Sequence, residues 1–320
     1  MTIAWVIGSG GLLGMALCRA LRRDGTALFV PQLRFPWQDP VALEASMKAA
    51  IEQLESQLGG AQRWELYWAA GVGTMSGDSA EIQPETRALT QLLHLLGAST
   101  GLMAMPGAIS LASSAGAIYA GSTDSVITEQ TPPHPTTPYA LAKLQQENLI
   151  AAFAQSHANI CGMAARISTL YGPGQASGKK QGLLTHIARK IIRNQLIQIY
   201  VPFDTIRDYI SADDAASAMV RALRAQPLTS RFLVKIVASE RPTTIAEIVS
   251  TFKRIVRRAP RIVTSASRMT SLYSRRVQFR SVVLPVTGAV ASTSLAIGIS
   301  QLMNAERAAF GQGARGDHRT

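Results

Sequence analysis

Residues 2–14 read Thr2-Ile3-Ala4-Trp5-Val6-Ile7-Gly8-Ser9-Gly10-Gly11-Leu12-Leu13-Gly14. Thr2 to Ile7 is a short apolar run ended by glycine, which predicts a buried strand. A helical pattern then continues to about Arg23. Gly8, Gly11 and Gly14 fall three residues apart. Glycine permits a tight turn and close approach of a ligand to the backbone, and a helix N-terminus offers unpaired N–H groups to an anion. Strand, glycine turn and helix in this order is the arrangement that cradles a dinucleotide pyrophosphate. A glycine-rich turn in another α/β protein would share the spacing; the strand before and the helix after favour the nucleotide.

Outward from this motif, Ala27 to Val30 predicts a second strand. Dinucleotide sites often place an acid near the end of that strand to bind the adenosine ribose. Here the chain reads Val30-Pro31-Gln32-Leu33-Arg34, without an acid. Arg34 suits a 2′-phosphate, which favours NADP slightly over NAD, although an ordinary exposed arginine would look the same. A helix is expected over Pro40 to Leu58 and a further strand over Glu65 to Ala70. The small residues Ala69, Ala70 and Gly71 would let a flat cofactor pass close to the strand end.

Ile82 to Leu96 reads as a helix and Ala108 to Ala112 as a strand. Ser113 and Ser114 follow just beyond its carboxyl end, where open α/β sheets place their ligands. Four prolines between Thr131 and Pro138 make an extended loop. Pro138-Tyr139-Ala140-Leu141-Ala142-Lys143 then opens a helix to about Gln155. Residues four apart share a helix face, so the Tyr139 phenol and the Lys143 ammonium can meet in one site. A nearby cation lowers a tyrosine pKa from its usual value near 10, which suits it to proton transfer. An amphipathic surface helix with a half-buried tyrosine would give the same pattern.

The second half alternates less regularly. A strand is expected over Asn159 to Ile167, followed by the turn Tyr171-Gly172-Pro173-Gly174. Leu183 to Arg193 is a basic amphipathic helix. Arg207-Asp208-Tyr209-Ile210 leads into a helix over Asp213 to Ala225. Phe232 to Val237 is a strand, and Thr243 to Val256 a helix capped by threonine. Ser281 to Ala305 lacks charge and is long enough to span a bilayer. Its proline, glycines and hydroxyl residues favour a docked loop and a final helix instead. From Gly311 the chain reads as a disordered tail.

Composition narrows the class. Apolar residues make up 47% and charged residues 16% of the 320, enough for a large core and against global disorder. Cys18 and Cys161 lie in apolar stretches and read as reduced core residues of a cytoplasmic protein. The N-terminus lacks a basic region and reads as no secretory signal. Net charge is +12, and the stretch from Thr251 to Thr320 carries twelve Lys or Arg against two acids. That stretch suits an anionic partner, or is a solvated face that aids solubility.

Together these residues resemble the extended short-chain dehydrogenase/reductase family, in its nucleotide-sugar epimerase/dehydratase branch. The likeness runs from Ile3 to about Ile299. It implies an α/β fold: a Rossmann-type doubly wound parallel sheet with a smaller C-terminal α/β substrate-binding part. Residues 1–170 would form the NAD(P)-binding domain. Residues 171–310 would mainly bind substrate, with some segments returning to the sheet, and 311–320 would be the tail. GSGGLLG matches the family's glycine pattern, so Gly8, Gly11, Leu12, Leu13 and Gly14 are implied to hold the cofactor, with Arg34, Ala69, Ala70, Tyr139 and Lys143. Ser114, Tyr139 and Lys143 match the catalytic hydroxyl, tyrosine and lysine. Glu147 and Arg166 match a common acid and a common arginine. LYGPG and RDYISADD resemble two downstream motifs; Arg207 matches an arginine that contacts a sugar-nucleotide diphosphate, and Thr169 replaces a substrate-binding asparagine. Arg280, in the basic stretch, is a second candidate for the diphosphate.

Three departures stand out. Ile7 precedes the glycine turn where the family has threonine. Glu85 or a neighbour takes the place of a helix-start asparagine. Ala115 and Gly116 replace the acidic pair of the 4,6-dehydratases, which removes the acid and base of that elimination. The resemblance therefore implies an NAD(P)-dependent epimerase acting on a nucleotide-diphosphate sugar through a keto intermediate. An NADPH-dependent keto-sugar reductase is the alternative. A non-catalytic NAD(P)-binding sensor or scaffold is the reading from another class; the retained Ser114, Tyr139 and Lys143 speak against it. A homodimer in the cytoplasm is expected, with no metal, no nucleic-acid partner and no membrane association.

Overall fold

Strand β1 (Thr2–Ile7) shows why the first residues decide the architecture. Ile3, Trp5 and Ile7 enter one core cluster, and Ala4 and Val6 enter another on the opposite face. A strand buried on both faces must be apolar throughout, as this one is. In the computed structural model, the described residues are all except 72, 74, 76, 78, 176–181, 228, 258–259, 265–276, 286–291 and 317–320.

After β1 come α1 (Leu12–Arg23), β2 (Ala27–Phe29), α2 (Pro40–Ser56), β3 (Arg63–Trp68), α3 (Ser79–Ala98) and the short α4 (Thr100–Ala104). Next are β4 (Gly107–Ser114), a single turn α5 (Ala115–Ile118), α6 (Pro138–Ser156) and β5 (Ile160–Ile167). The chain continues through β6 (Thr169–Tyr171), α7 (Leu183–Ile192), β7 (Ile197–Ile199), β8 (Ile206–Ser211), α8 (Ala212–Ala225) and β9 (Phe232–Val237). It ends with β10 (Pro242–Thr244), α9 (Ile245–Val256), β11 (Ile262–Thr264) and α10 (Leu295–Gly316).

The main sheet has six strands in the order β2-β1-β3-β4-β5-β9, and every pairing is parallel. Parallel neighbours need crossover connections, which place helices on both faces. The α2 and α3 helices cover one face over Trp5, Trp64 and Trp68; α1 and α8 cover the other over Ala4, Val6 and Tyr67. Strand order reverses between β1 and β3, the position where open α/β sheets leave a crevice. The glycine turn follows β1 there, and Ala69 to Gly71 follow β3.

The later chain contributes to both layers. β9 returns to the main sheet beside β5. A three-stranded sheet, β10-β8-β6, and the parallel pair β11-β7 stand apart from it. A separate core gathers α7, α9 and α10 around Tyr171, Ile187, Phe252 and Leu302.

Several expectations are corrected in detail. β4 runs on through Ser113 and Ser114 rather than stopping at Ala112, because both pair with β5 at Arg166 and Ile167. Thr243 belongs to β10, and Thr244 caps α9 through a bond accepted from the Glu247 N–H. Cys161 is buried but Cys18 is only half-buried. The chain from Gly311 is not a tail throughout: α10 continues to Gly316. Isolated glycines cost a helix about 1 kcal/mol each without stopping it. Among the described residues no helix is long and apolar enough to cross a membrane. The basic stretch after Thr251 is only partly described; Arg258, Arg268, Arg275, Arg276 and Arg319 lie outside the described residues.

Candidate active site

The glycine turn is built by contact, not only by freedom. Gly8 has φ of +85°, and a Cβ there would lie 2.5 Å from the Ala70 nitrogen. A Cβ on Gly14 would lie 2.1 Å from the Gly8 carbonyl oxygen. Gly11 donates its N–H to that same oxygen at 2.9 Å and serves as the N-cap of α1 without a side-chain cap. The first N–H groups of α1 therefore have no capping side chain. A backbone cradle with glycine where a side chain would intrude, at a helix N-terminus, fits a pyrophosphate.

This turn is one wall of a cleft of about 600 Å³. Leu12, Leu13, Ala69, Ala70 and Gly71 continue its floor, and Ser114, Tyr139, Lys143, Thr169 and Arg207 line it farther along. Most of the residues singled out in the sequence thus meet in one cavity, although they come from both halves of the chain. Gly8 and Gly14 shape the turn without lining the cleft, and two more stand outside it. Arg34 is exposed in the loop after β2 and does not line the cleft. Arg280 is exposed as well; its backbone N–H bonds the Ile127 carbonyl, while its neighbour Phe279 is buried and lines the cleft. Alternation along an extended segment turns successive side chains apart.

Tyr139 and Lys143 do share a helix face. Thr137 caps α6 by accepting a bond from the Ala140 N–H at 3.2 Å, with Pro138 in the first turn. The Lys143 Nζ stands 5.8 Å from the centre of the Tyr139 ring. The Tyr139 phenol lies near enough to the Ser114 hydroxyl to be pulled down in pKa by it, and Ser114 caps α5 by accepting from the Ala117 N–H at 3.3 Å.

The electrostatics differ from the expectation. Burial raises the Tyr139 pKa; Lys143 and the Ser114 hydroxyl pull it down, the Glu85 carboxylate pushes it further up, and the net result is a rise. Lys143 cannot act as an isolated cation, because its Nζ donates to Glu85 Oε1 at 2.6 Å and to Gln146 Oε1 at 3.0 Å. Burial by itself would lower the Lys143 pKa, but Glu85, helped by Tyr139 and Glu147, outweighs it and raises it. Removing a charge from water disfavours the charged form unless an opposite charge stands close.

Two buried networks brace the cleft. Glu147 accepts from Ser113 Oγ at 2.6 Å and from the Arg166 guanidinium, whose Nη2 lies 2.6 Å from Oε2. Arg166 also donates to the Tyr119 hydroxyl at 2.5 Å. Asp208 accepts from Ser168 Oγ at 2.5 Å, from the Ser239 N–H and hydroxyl at 2.9 Å each, and from the Arg241 N–H at 3.1 Å. It thereby fixes β8, and Arg207 beside it, to the loop after β9. Burial raises the Asp208 pKa against the pull of those bonds. Sequence reading missed this hub and the Glu85–Gln146 pair. Glu85 and Lys143 stand 58 residues apart, so no local spacing joins them. Among the described residues no cluster of His, Cys, Asp or Glu could hold a metal ion.

A six-stranded parallel sheet with a glycine cradle at its switch point defines a Rossmann-type dinucleotide-binding protein. The family model described as "NAD dependent epimerase/dehydratase family" matches residues 4–232, and the chain belongs to that family. A dTDP-L-rhamnose 4-epimerase of Burkholderia thailandensis is 30% identical over 100 residues, 31% of this chain and 27% of that protein. A dTDP-4-dehydro-6-deoxyglucose reductase of Escherichia coli is 32% identical over 115 residues, 36% of each protein. The matched stretches thus span about a third of those relatives' lengths or less. Among solved structures, RMD from Pseudomonas aeruginosa complexed with NADPH superposes with a TM-score of 0.78 at 20% identity, over 97% of this chain and 100% of that one.

Proposed function

We propose that the chain is an NAD(P)-dependent epimerase acting on a nucleotide-diphosphate sugar through a keto intermediate. The observation that carries this reading is the meeting of Tyr139, Ser114 and Lys143 in the cleft that the glycine cradle opens. The Burkholderia relative's name supports the reaction, and the relatives' dTDP-sugar names support the substrate class.

The nicotinamide accepts and returns hydride when bound. Gly8, Gly11 and Gly14, with the N–H groups at the start of α1, would hold the cofactor's pyrophosphate. Leu12, Leu13, Ala69 and Ala70 would flank it. Tyr139 takes the proton of a sugar hydroxyl as its carbon loses hydride, and returns it when hydride is restored to the other face. Ser114 bonds the reacting oxygen and sets its distance from the phenol. Lys143 stabilises the phenolate. Arg207, which lines the cleft, would meet the diphosphate, and Thr169 a sugar hydroxyl. Positioning and electrostatics are the protein's share of such a reaction. Val30 to Arg34, directly after β2, has no acid, so NADP is expected to bind at least as tightly as NAD.

A keto-sugar reductase is the second reading. The raised Tyr139 pKa favours it, since a neutral phenol is a proton donor. Incubation with dTDP- and UDP-sugars, followed by chromatography, separates the two. An epimer formed without net consumption of nicotinamide supports the first. NADPH consumed in step with a keto-sugar, and no epimer, overturns it in favour of the second.

A further inference from the structure

We propose that Glu85 is a positioning residue of the Tyr139 site: it fixes the Lys143 ammonium and offsets its charge, so that Tyr139 rests as a neutral phenol. The proposal builds on the reading of Tyr139 as the proton-transfer group.

The geometry is specific. Glu85 projects from α3 and Lys143 from α6, and the side chains of both are only 6% exposed. Glu85 Oε1 accepts from Lys143 Nζ at 2.6 Å and from Gln146 Nε2 at 3.3 Å. Gln146 in turn accepts from Lys143 at 3.0 Å and donates to Thr86 Oγ1 at 3.1 Å. The ammonium is thus held from two helices. Glu85 Oε2 is different: it is buried and, among the described residues, has no hydrogen-bond partner. The bare Cα of Gly71 faces it, and a Cβ there would lie 2.8 Å from that oxygen. A buried carboxylate oxygen without a donor is costly, and a buried ion pair is a poor device for stability. An arrangement with half its acceptors unmet is better explained by what the charge does to its neighbours.

Those neighbours can be enumerated. Facing Tyr139 are Lys143 on its own helix and Glu85 on α3. Glu147, one turn on, also acts on Lys143, but its carboxylate is engaged by Arg166 of β5 and Ser113 of β4. Arg166 in turn bonds Tyr119 at the end of α5. Among the described residues, only Glu85 therefore opposes Lys143 directly. With Glu85 ionised the pair is neutral overall, and Lys143 stabilises the phenolate less than a lone ammonium would. With Glu85 replaced by glutamine the ammonium acts unopposed, and the phenolate becomes easier to form.

The resting proton then has a use. When a keto group is reduced, its carbon gains hydride from a reduced nicotinamide, which is oxidised. The carbonyl oxygen gains the Tyr139 proton, and the phenolate left behind recovers a proton from water. An oxidation must begin by losing that proton.

The test needs neither cofactor nor sugar. Ultraviolet absorbance of the phenolate is followed against pH in the full chain, and the Tyr139→Phe titration is subtracted to isolate one tyrosine. Glu85→Gln is expected to lower the midpoint by about one pH unit or more. An unchanged or higher midpoint, in a variant whose circular dichroism matches the parent, overturns the proposal. Lys143→Gln provides the converse test should Glu85→Gln not fold: it leaves the carboxylate unopposed, and the midpoint must rise. No rise overturns the proposal as well. A shifted midpoint in a protein that turns over no sugar nucleotide would sink the enzymatic reading and leave this one standing.

Discussion

Tyr139 carries the chemistry in the proposed reaction, and its environment makes a clear prediction. Tyr139→Phe is expected to abolish turnover while leaving cofactor affinity within a few-fold, because the glycine cradle is untouched. Retained turnover in a direct product assay would remove Tyr139 from its role. Burial dominates its pKa and places phenolate formation above the ordinary tyrosine range in the free protein. In the oxidative direction the rate should therefore climb toward alkaline pH, which a pH profile of initial rates will show. Arg207 makes a second case. Charge-assisted bonds from an arginine to a diphosphate are worth roughly 1.5–3 kcal/mol each. Arg207→Ala should weaken sugar-nucleotide binding by about one to two orders of magnitude and spare the cofactor; calorimetry with each ligand separates the two. Equal loss of both would point to a fold defect instead. At this scale the sequence was legible where residues act through local spacing. Tyr139 and Lys143 needed only a helix to meet. Glu85, Gln146 and Asp208 act across distant elements, and burial, which reverses the expected direction of the Tyr139 shift, is not written in spacing. Arg280 stands outside the cleft for a simpler reason: its charge was visible in the sequence, but the direction of its side chain was not.

Among the elements, the glycine turn is the least tolerant. Gly14→Ala would place a methyl carbon 2.1 Å from the Gly8 carbonyl oxygen, an overlap that only backbone movement relieves. Loss of NAD(P) binding and a lowered unfolding temperature are expected together; unchanged cofactor titration would show that the cradle is not the binding surface. The turn was readable because strand, turn and helix are consecutive in the chain. The segment 277–284 was not readable, because what holds it lies far away. Phe279 pairs with Ile127, the Glu129 carboxylate accepts from the Val282 N–H at 2.8 Å, and Lys235 donates to the Val283 carbonyl at 2.6 Å. Ser281 joins the same network through Glu129 and Lys235. Val277 and Phe279 line the cleft from this segment. Glu129→Ala should therefore loosen the far wall of the cleft and raise KM for the sugar substrate several-fold, with cofactor affinity constant.

For the whole molecule, the order of strands follows from a simple constraint. Each apolar strand must be covered on both faces, so helices alternate with strands and the sheet grows outward from β1. β9 completes it from the second half of the chain, which no local pattern announces. The division of the core has a further, optical consequence. All four tryptophans, at positions 5, 37, 64 and 68, belong to the first 68 residues. Trp37 stands edge-on to Trp68 with ring centres 6.2 Å apart, and Trp5 contacts Phe35 and Phe29 on the same side of the sheet. Trp68 immediately precedes Ala69 and Ala70 in the cleft floor. Indole emission is thus a built-in probe of the layer that α2 and α3 cover, and a reduced nicotinamide cofactor held in the cleft would quench it by energy transfer. The layer of α7, α9 and α10 contains no indole, so its loosening would leave the fluorescence dark to the event.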